Sequence, residues 1–186
     1  MKVGTLVATV GIAGSLLLAG CGDDSGGGGG LNVKGMYLGM KITEAQTVCM
    51  KLFEGLDFES EKRSGDNSNN SWVKVKGELP IHEVETGSQF SFILIGAAKW
   101  GEVNADKNGN VYRYYFTGPV VRHIFGFTKM QTSDFVQQFA NSYKIPQFNI
   151  SDNFEYWYYD SPHGYRVRIN EDKSLIVEKI AIAKFD

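Results

Sequence analysis

Thr43-Glu44-Ala45-Gln46-Thr47-Val48-Cys49-Met50-Lys51-Leu52-Phe53-Glu54-Gly55 is the stretch on which the fold turns. Its apolar residues Ala45, Val48, Cys49, Leu52 and Phe53 fall at i, i+3, i+4, i+7 and i+8, the spacing of one face of an α-helix. Thr43 with Gln46 three residues on has the form of a capping box, and Gly55 supplies a stop. Beyond it the period drops to two. Trp72 to Leu79, Gln89 to Ala97, Lys99 to Asn104 and Asn110 to Phe116 read as strands, and Gln89 to Ala97 is apolar enough for a central one. Residues 60 to 71 are too polar to bury and read as a loop.

The same order then recurs. Phe125-Gly126-Phe127 echoes Leu38-Gly39-Met40, and a helix with Phe135, Val136, Phe139, Ala140 and Tyr143 on one face follows Thr132 or Ser133 as cap. Pro146 closes it. Strands follow at Phe154 to Tyr159, Tyr165 to Asn170 and Leu175 to Ala183. Val103-Asn104-Ala105-Asp106-Lys107 and Ile169-Asn170-Glu171-Asp172-Lys173 share a hairpin pattern. The expected fold class is α+β, with two tandem units, each a short helical segment packed on an antiparallel sheet. The first spans 32–118 and the second 119–186.

The segment before them has another composition. Lys2 precedes an apolar run from Val3 to Leu18, about 16 residues and shorter than the ~20 that span a bilayer. It ends Leu18-Ala19-Gly20-Cys21, where small residues suit a peptidase pocket and cysteine stands at the cut. The motif resembles the lipobox of bacterial lipoproteins. That resemblance implies a signal peptide at 1–20, lipidation of Cys21, and a flexible Gly-rich tether at 21–31 built around Gly26 to Gly30. It further implies anchoring to a membrane of the cell envelope. The residue after Cys21 is glycine, which by the enterobacterial sorting rule favours the outer membrane, facing the periplasm, over the inner.

Composition narrows the partners. Of 186 residues, 19 are basic and 21 acidic, a net charge of −2 that becomes −3 once Lys2 is removed. No basic footprint for nucleic acid exists. There are two cysteines. Lipidation of Cys21 leaves Cys49 without an intrachain partner, and its place in the apolar stripe reads as a buried small hydrophobe.

Leu38-Gly39-Met40 followed by Thr43-Glu44-Ala45-Gln46, then a sheet, in tandem on a lipoprotein, resembles the α+β unit of the BamE/SmpA outer-membrane lipoproteins and of the β-lactamase inhibitor protein. Here Lys41 and Ile42 separate Met40 from Thr43, and Phe127 stands where the second unit would carry methionine. The resemblance implies an architecture and assigns no functional residue.

Candidate chemistry is sparse. Asn104, Asp106 and Asn108, with Gly109 at the sixth place, look like the start of a calcium loop. Tyr115 stands where the bidentate glutamate belongs, and an Asn-Gly hairpin turn accounts for the same residues. No metal or other cofactor is therefore expected. His82, His123 and His163 lack helical zinc spacing. Asp160-Ser161-Pro162-His163-Gly164 gathers triad residue types, yet Pro and Gly mark a turn.

The aromatic strands point elsewhere. Tyr156 and Tyr158 alternate with Trp157 and Tyr159, and Tyr112 and Tyr114 with Arg113 and Tyr115, so both faces carry large rings although the core needs one. Aromatics and arginine dominate binding hot spots. Tyr112, Tyr114, Tyr156, Trp157 and Tyr158 are the candidate partner contacts. The expected function is a membrane-tethered, non-catalytic protein-binding module in the bacterial envelope, acting as an assembly accessory, an inhibitor or an exclusion factor. The competing readings are a periplasmic enzyme with an unrecognised site and a small-ligand or cation-binding lipoprotein.

Overall fold

The computed structural model describes residues 30–64, 71–84, 89–95 and 99–181. The protein is α+β. In chain order it runs α1 (Ile42–Leu52), β1 (Glu59–Ser64), β2 (Ser71–Lys76), β3 (His82–Val84), β4 (Gln89–Ile95), β5 (Lys99–Asp106) and β6 (Val111–Phe116). There follow α2 (Gly118–Phe125), α3 (Thr132–Ser142), β7 (Asn149–Ile150), β8 (Tyr156–Ser161), β9 (Tyr165–Asn170) and β10 (Leu175–Lys179). Cys21 and the signal and tether segments lie outside the described residues, apart from Gly30 and Leu31.

The strands form one antiparallel sheet in the order β2-β1-β4-β5-β6-β10-β9-β8-β7, with β3 also paired to β4. The hairpin ladders β4-β5-β6 and β8-β9-β10 are therefore arranged head to head. They meet where β6 pairs with β10 (Tyr114 opposite Val177, Phe116 opposite Leu175), so the sheet runs unbroken past residue 118. The two hairpin patterns read from the sequence both occupy corresponding turns, β5–β6 and β9–β10.

The helices cover one face. Ala45 and Cys49 of α1 and Phe53 just after it pack with Val103, Tyr114 and Phe116, and the Phe53 and Phe116 rings meet edge-on at 5.6 Å. Phe125 of α2 and Phe135 and Phe139 of α3 form an aromatic cluster with centroids 5.4–5.9 Å apart. They belong to the same core as Val167, Ile169, Leu175 and Val177. Cys49 is fully buried, its sulfur 3.7 Å from that of Met36, and burial pushes its thiol far above the ordinary range.

Several local expectations are corrected. Thr43 is not a cap: α1 starts one residue earlier, after extended Lys41, with no side-chain cap. The reason is tertiary. Ile42 donates its amide to Gly109, Val111 donates to Met40, and Lys41 bridges to Asn110, so the β5–β6 hairpin takes over the helix start. Gln46, freed from a box, donates to the Leu79 carbonyl. Neither Thr132 nor Ser133 caps α3, which begins after Gln131; the Thr132 hydroxyl instead donates to the Glu171 carbonyl at 2.7 Å.

The loop expected at 60–71 contains β1 and the start of β2, paired from Glu59–Lys76 to Ser64–Ser71. Polarity does not exclude a strand ribbon, which draws on backbone bonds and cross-strand charges such as Lys74–Glu59 at 3.4 Å, and it does not keep Ser60 at the surface, since that residue is buried. α2 was not foreseen, although Pro119 near its start and left-handed Gly126 at its end are ordinary helix signals. Phe154 is not in a strand. It adopts a positive φ of 59° in a turn where the Ser151 hydroxyl accepts the amides of Glu155 and Tyr156.

Candidate functional site

The face of the sheet away from the helices carries the most distinctive chemistry. Register fixes its members. Val167 and Ile169 lie opposite Val177 and Leu175 on the helix side, so Arg166 and Arg168 project with Glu178 and Ile176 to the other. Across β6, Arg113 and Tyr115 share that open face, opposite Asn104 and Glu102 of β5. Across β8, Tyr156, Tyr158 and Asp160 lie opposite Asn170, Arg168 and Arg166. Ile176 is buried although it stands apart from the helix-side core, because its cross-strand neighbours are the large side chains Tyr115 and Arg168.

Each arginine lies over a ring. Arg166 is 5.2 Å from the Tyr158 centroid, Arg168 is 5.2 Å from Tyr156, and Arg113 is 6.0 Å from Tyr115. Such stacking holds a guanidinium flat and adds cation–π attraction. Arg166 also grips Asp160 bidentately, Nε to Oδ1 at 2.5 Å and Nη2 to Oδ2 at 2.7 Å, which holds the Asp160 carboxyl below its usual range. Arg113 lies 3.6 Å from both Glu102 and Glu178 and donates to Asn104 at 3.3 Å. Burial, and next the nearby Asp172 charge, push the Tyr115 hydroxyl upward.

The candidate contacts divide. Tyr156 and Tyr158 are on the open face. Trp157 is on the helix side, where it packs against the core and lines a groove with Val136, Ala140 and Phe148. Tyr114 is completely buried and donates its hydroxyl to the Met36 carbonyl at 3.4 Å, so it belongs to the core and presents no surface. Tyr112 falls at a register shift: Asn104 pairs with Arg113 but Ala105 pairs with Val111, leaving Tyr112 as the extra residue of a bulge. Sequence reasoning did not single out Arg166 or Arg168, and it weighed Asp160 only within the Asp160 to Gly164 turn. The alternation of arginine with Val167 and Ile169 was the available signal.

The other candidates are used structurally. The Asp106 carboxylate accepts the backbone amides of Asn108 and Asn110, both at 2.9 Å, and these bonds lower its pKa. Asn104 is tied to Glu102 at 3.0 Å within β5, while Asp106 organises the β5–β6 turn through Asn108 and Asn110. Among the described residues no group of three or more His, Cys, Asp or Glu could hold a metal. Ser161 is buried and its hydroxyl accepts the His163 amide at 3.1 Å, while Asp160 pairs with Arg166, so these residues form no relay. His123 contacts the Glu54 carbonyl at 3.0 Å, and the His82 ring meets the Glu61 carbonyl. Among the described residues no helix is long and apolar enough to cross a membrane.

No family model, curated protein or solved structure matches the chain.

Proposed function

We propose that this protein is a lipid-anchored, non-catalytic protein-binding module of the bacterial envelope, held by Cys21 on the periplasmic side of the outer membrane, that recognises its partner with the open face of its sheet. The observation that carries the reading is the row of arginine–tyrosine stacks, Arg166 on Tyr158, Arg168 on Tyr156 and Arg113 on Tyr115, mounted on rigid paired strands. These are the residue types that supply most binding energy at protein interfaces, and strands hold them at little ordering cost. Tethering would concentrate the module near partners at the same membrane. The lipobox at Leu18 to Cys21 supports the location, and the resemblance of the α+β units to the BamE/SmpA and inhibitor folds supports the binding role.

Photo-crosslinking in intact cells tests this. A photoreactive residue at Tyr158 is expected to capture a discrete protein, while one at exposed Gln137 on α3 captures none. Absence of adducts from Tyr158, Tyr156 and Tyr115 alike would remove the open face as the recognition surface.

A further inference from the structure

We infer that the depression beside Arg168 receives a carboxylate side chain of the bound protein, one flanked by positive charge; this rests on the binding reading above and names the chemistry of its central contact. Of Arg113, Arg166 and Arg168 on the open face, two are already neutralised, Arg166 by Asp160 and Arg113 by Glu102 and Glu178. Arg168 is not. Among the described residues it makes no ion pair, and its Nε is buried without a hydrogen-bond partner. It stacks on the Tyr156 ring, which orients the planar fork without satisfying any donor. With Nε enclosed, the terminal Nη1 and Nη2 donors are the ones that can meet a guest, and a carboxylate received end-on by both answers their planar geometry.

The surroundings suit that guest. Arg168 lines a depression of about 710 Å³ whose walls include Tyr115 and Tyr156. Asn170 and Ser174, hydrogen-bonded to each other at 2.6 Å, line the same depression and offer polar groups beside the fork. Glu155, Glu171 and Asp172, all exposed, form its acidic border. That border repels polyanions such as phosphate clusters or nucleic acid, and it attracts positive charge on either side of a single inserted carboxylate.

The minimal probe is acetyl-Glu-Lys-amide, with acetyl-Gln-Lys-amide as control, titrated into the intact protein while the arginine side-chain resonances are followed by NMR. The glutamate peptide is expected to shift the Arg168 guanidinium signals saturably and to leave those of Arg166 and Arg113 in place. The glutamine peptide should need at least tenfold more. Arg168→Gln should abolish the saturable shifts that the glutamate peptide produces in the backbone amides of Tyr156 and Asn170, with the amide spectrum of the free protein otherwise unchanged. Should that variant unfold, Arg168→Lys, which keeps charge and loses the fork, is expected to weaken binding about tenfold. Equal response to both peptides, no response at Arg168, or saturation by acetate at the same concentration would overturn the assignment. Crosslinks from Tyr158 without an Arg168 response would sink this inference alone; absent crosslinks would sink the binding reading itself.

Discussion

Gly118 lies so close to the carbonyl of Asp172 that a Cβ built on it would stand 2.0 Å from the Asp172 oxygen. Gly118 opens α2 directly after β6, and Asp172 sits in the turn between β9 and β10. The obstructing atom is backbone and cannot rotate aside. Gly118→Ala is therefore expected to cost about 1–3 kcal/mol or more through overpacking, read as a lower urea midpoint at unchanged m. An unaltered midpoint would mean that the β9–β10 turn shifts freely.

Successive residues of β8 should separate binding from stability. Tyr156→Ala and Tyr158→Ala remove rings from the open face and should reduce crosslinking to the partner strongly, with stability changed by under about 1 kcal/mol. Trp157→Ala removes a ring packed on the core and should cost roughly 2–4 kcal/mol while leaving capture by the folded fraction intact. Loss of capture from Trp157→Ala alone would place recognition on the helix side.

The Cys49 thiol is buried and its pKa is raised by desolvation. An acid with a raised folded pKa contributes stability below its unfolded pKa and loses it as pH climbs above that value. The unfolded thiol ionises near 8.5, so by pH 9.5 the protein should lose about 1.4 kcal/mol that the Cys49→Ala variant does not lose. Urea melts of both proteins between pH 7.5 and 9.5 give the comparison, and parallel curves would contradict it. The same burial predicts slow reaction with thiol reagents in the folded state, and a cost of about 1–2 kcal/mol for Cys49→Ala at neutral pH.

Asp160 is lowered chiefly by its hydrogen bonds from Arg166. A depressed carboxyl stabilises the folded state above its unfolded pKa, near 3.9, and the contribution fades as pH falls through the folded value. The pair is partly exposed, with side chains 36% and 41% accessible, so Asp160→Asn should cost no more than about 1 kcal/mol at pH 7. The difference from the parent protein should shrink as pH falls below about 3.9; a difference that stays constant while the carboxyl is protonated would show that lost packing, not charge, is responsible.

Cys21→Ala is expected to abolish incorporation of labelled palmitate and to release the protein from membranes, since two acyl signals anchor stably where one does not. Labelling that persists in the variant would place the lipid elsewhere.

Helix α1, helix α3 and most strands were legible because apolar residues repeat there at 3.6 or two over long enough stretches. β1 was not, because an edge ribbon written Glu-Ser-Glu-Lys-Arg-Ser has no apolar alternation to read. Thr43 shows a second limit: its capping box is sound local chemistry, displaced by a hairpin more than sixty residues downstream. At the candidate site, Tyr156 and Tyr158 were singled out because rings on both faces of a strand stand out. Period-two spacing separates the two faces but does not say which one the helices cover, so Tyr114 and Trp157 were grouped with them. The bulge at Tyr112 breaks the alternation outright. The solitary state of Arg168 depends on where Asp160, Glu102 and Glu178 fall across three other strands, which spacing along one strand cannot supply.

The position of β10 sets the order of events during synthesis. It lies at the middle of the sheet, between β6 and β9, yet follows every other described strand in the chain. Until it arrives, β6 and β9 each present an unpaired edge, and the two hairpin ladders have nothing to join them. Leu175 to Lys179 convert two half-sheets into one, so joining the ladders waits on a long-range closure. Premature truncation within this segment would leave two sticky edges per molecule, and oligomers joined edge to edge in place of a shortened monomer.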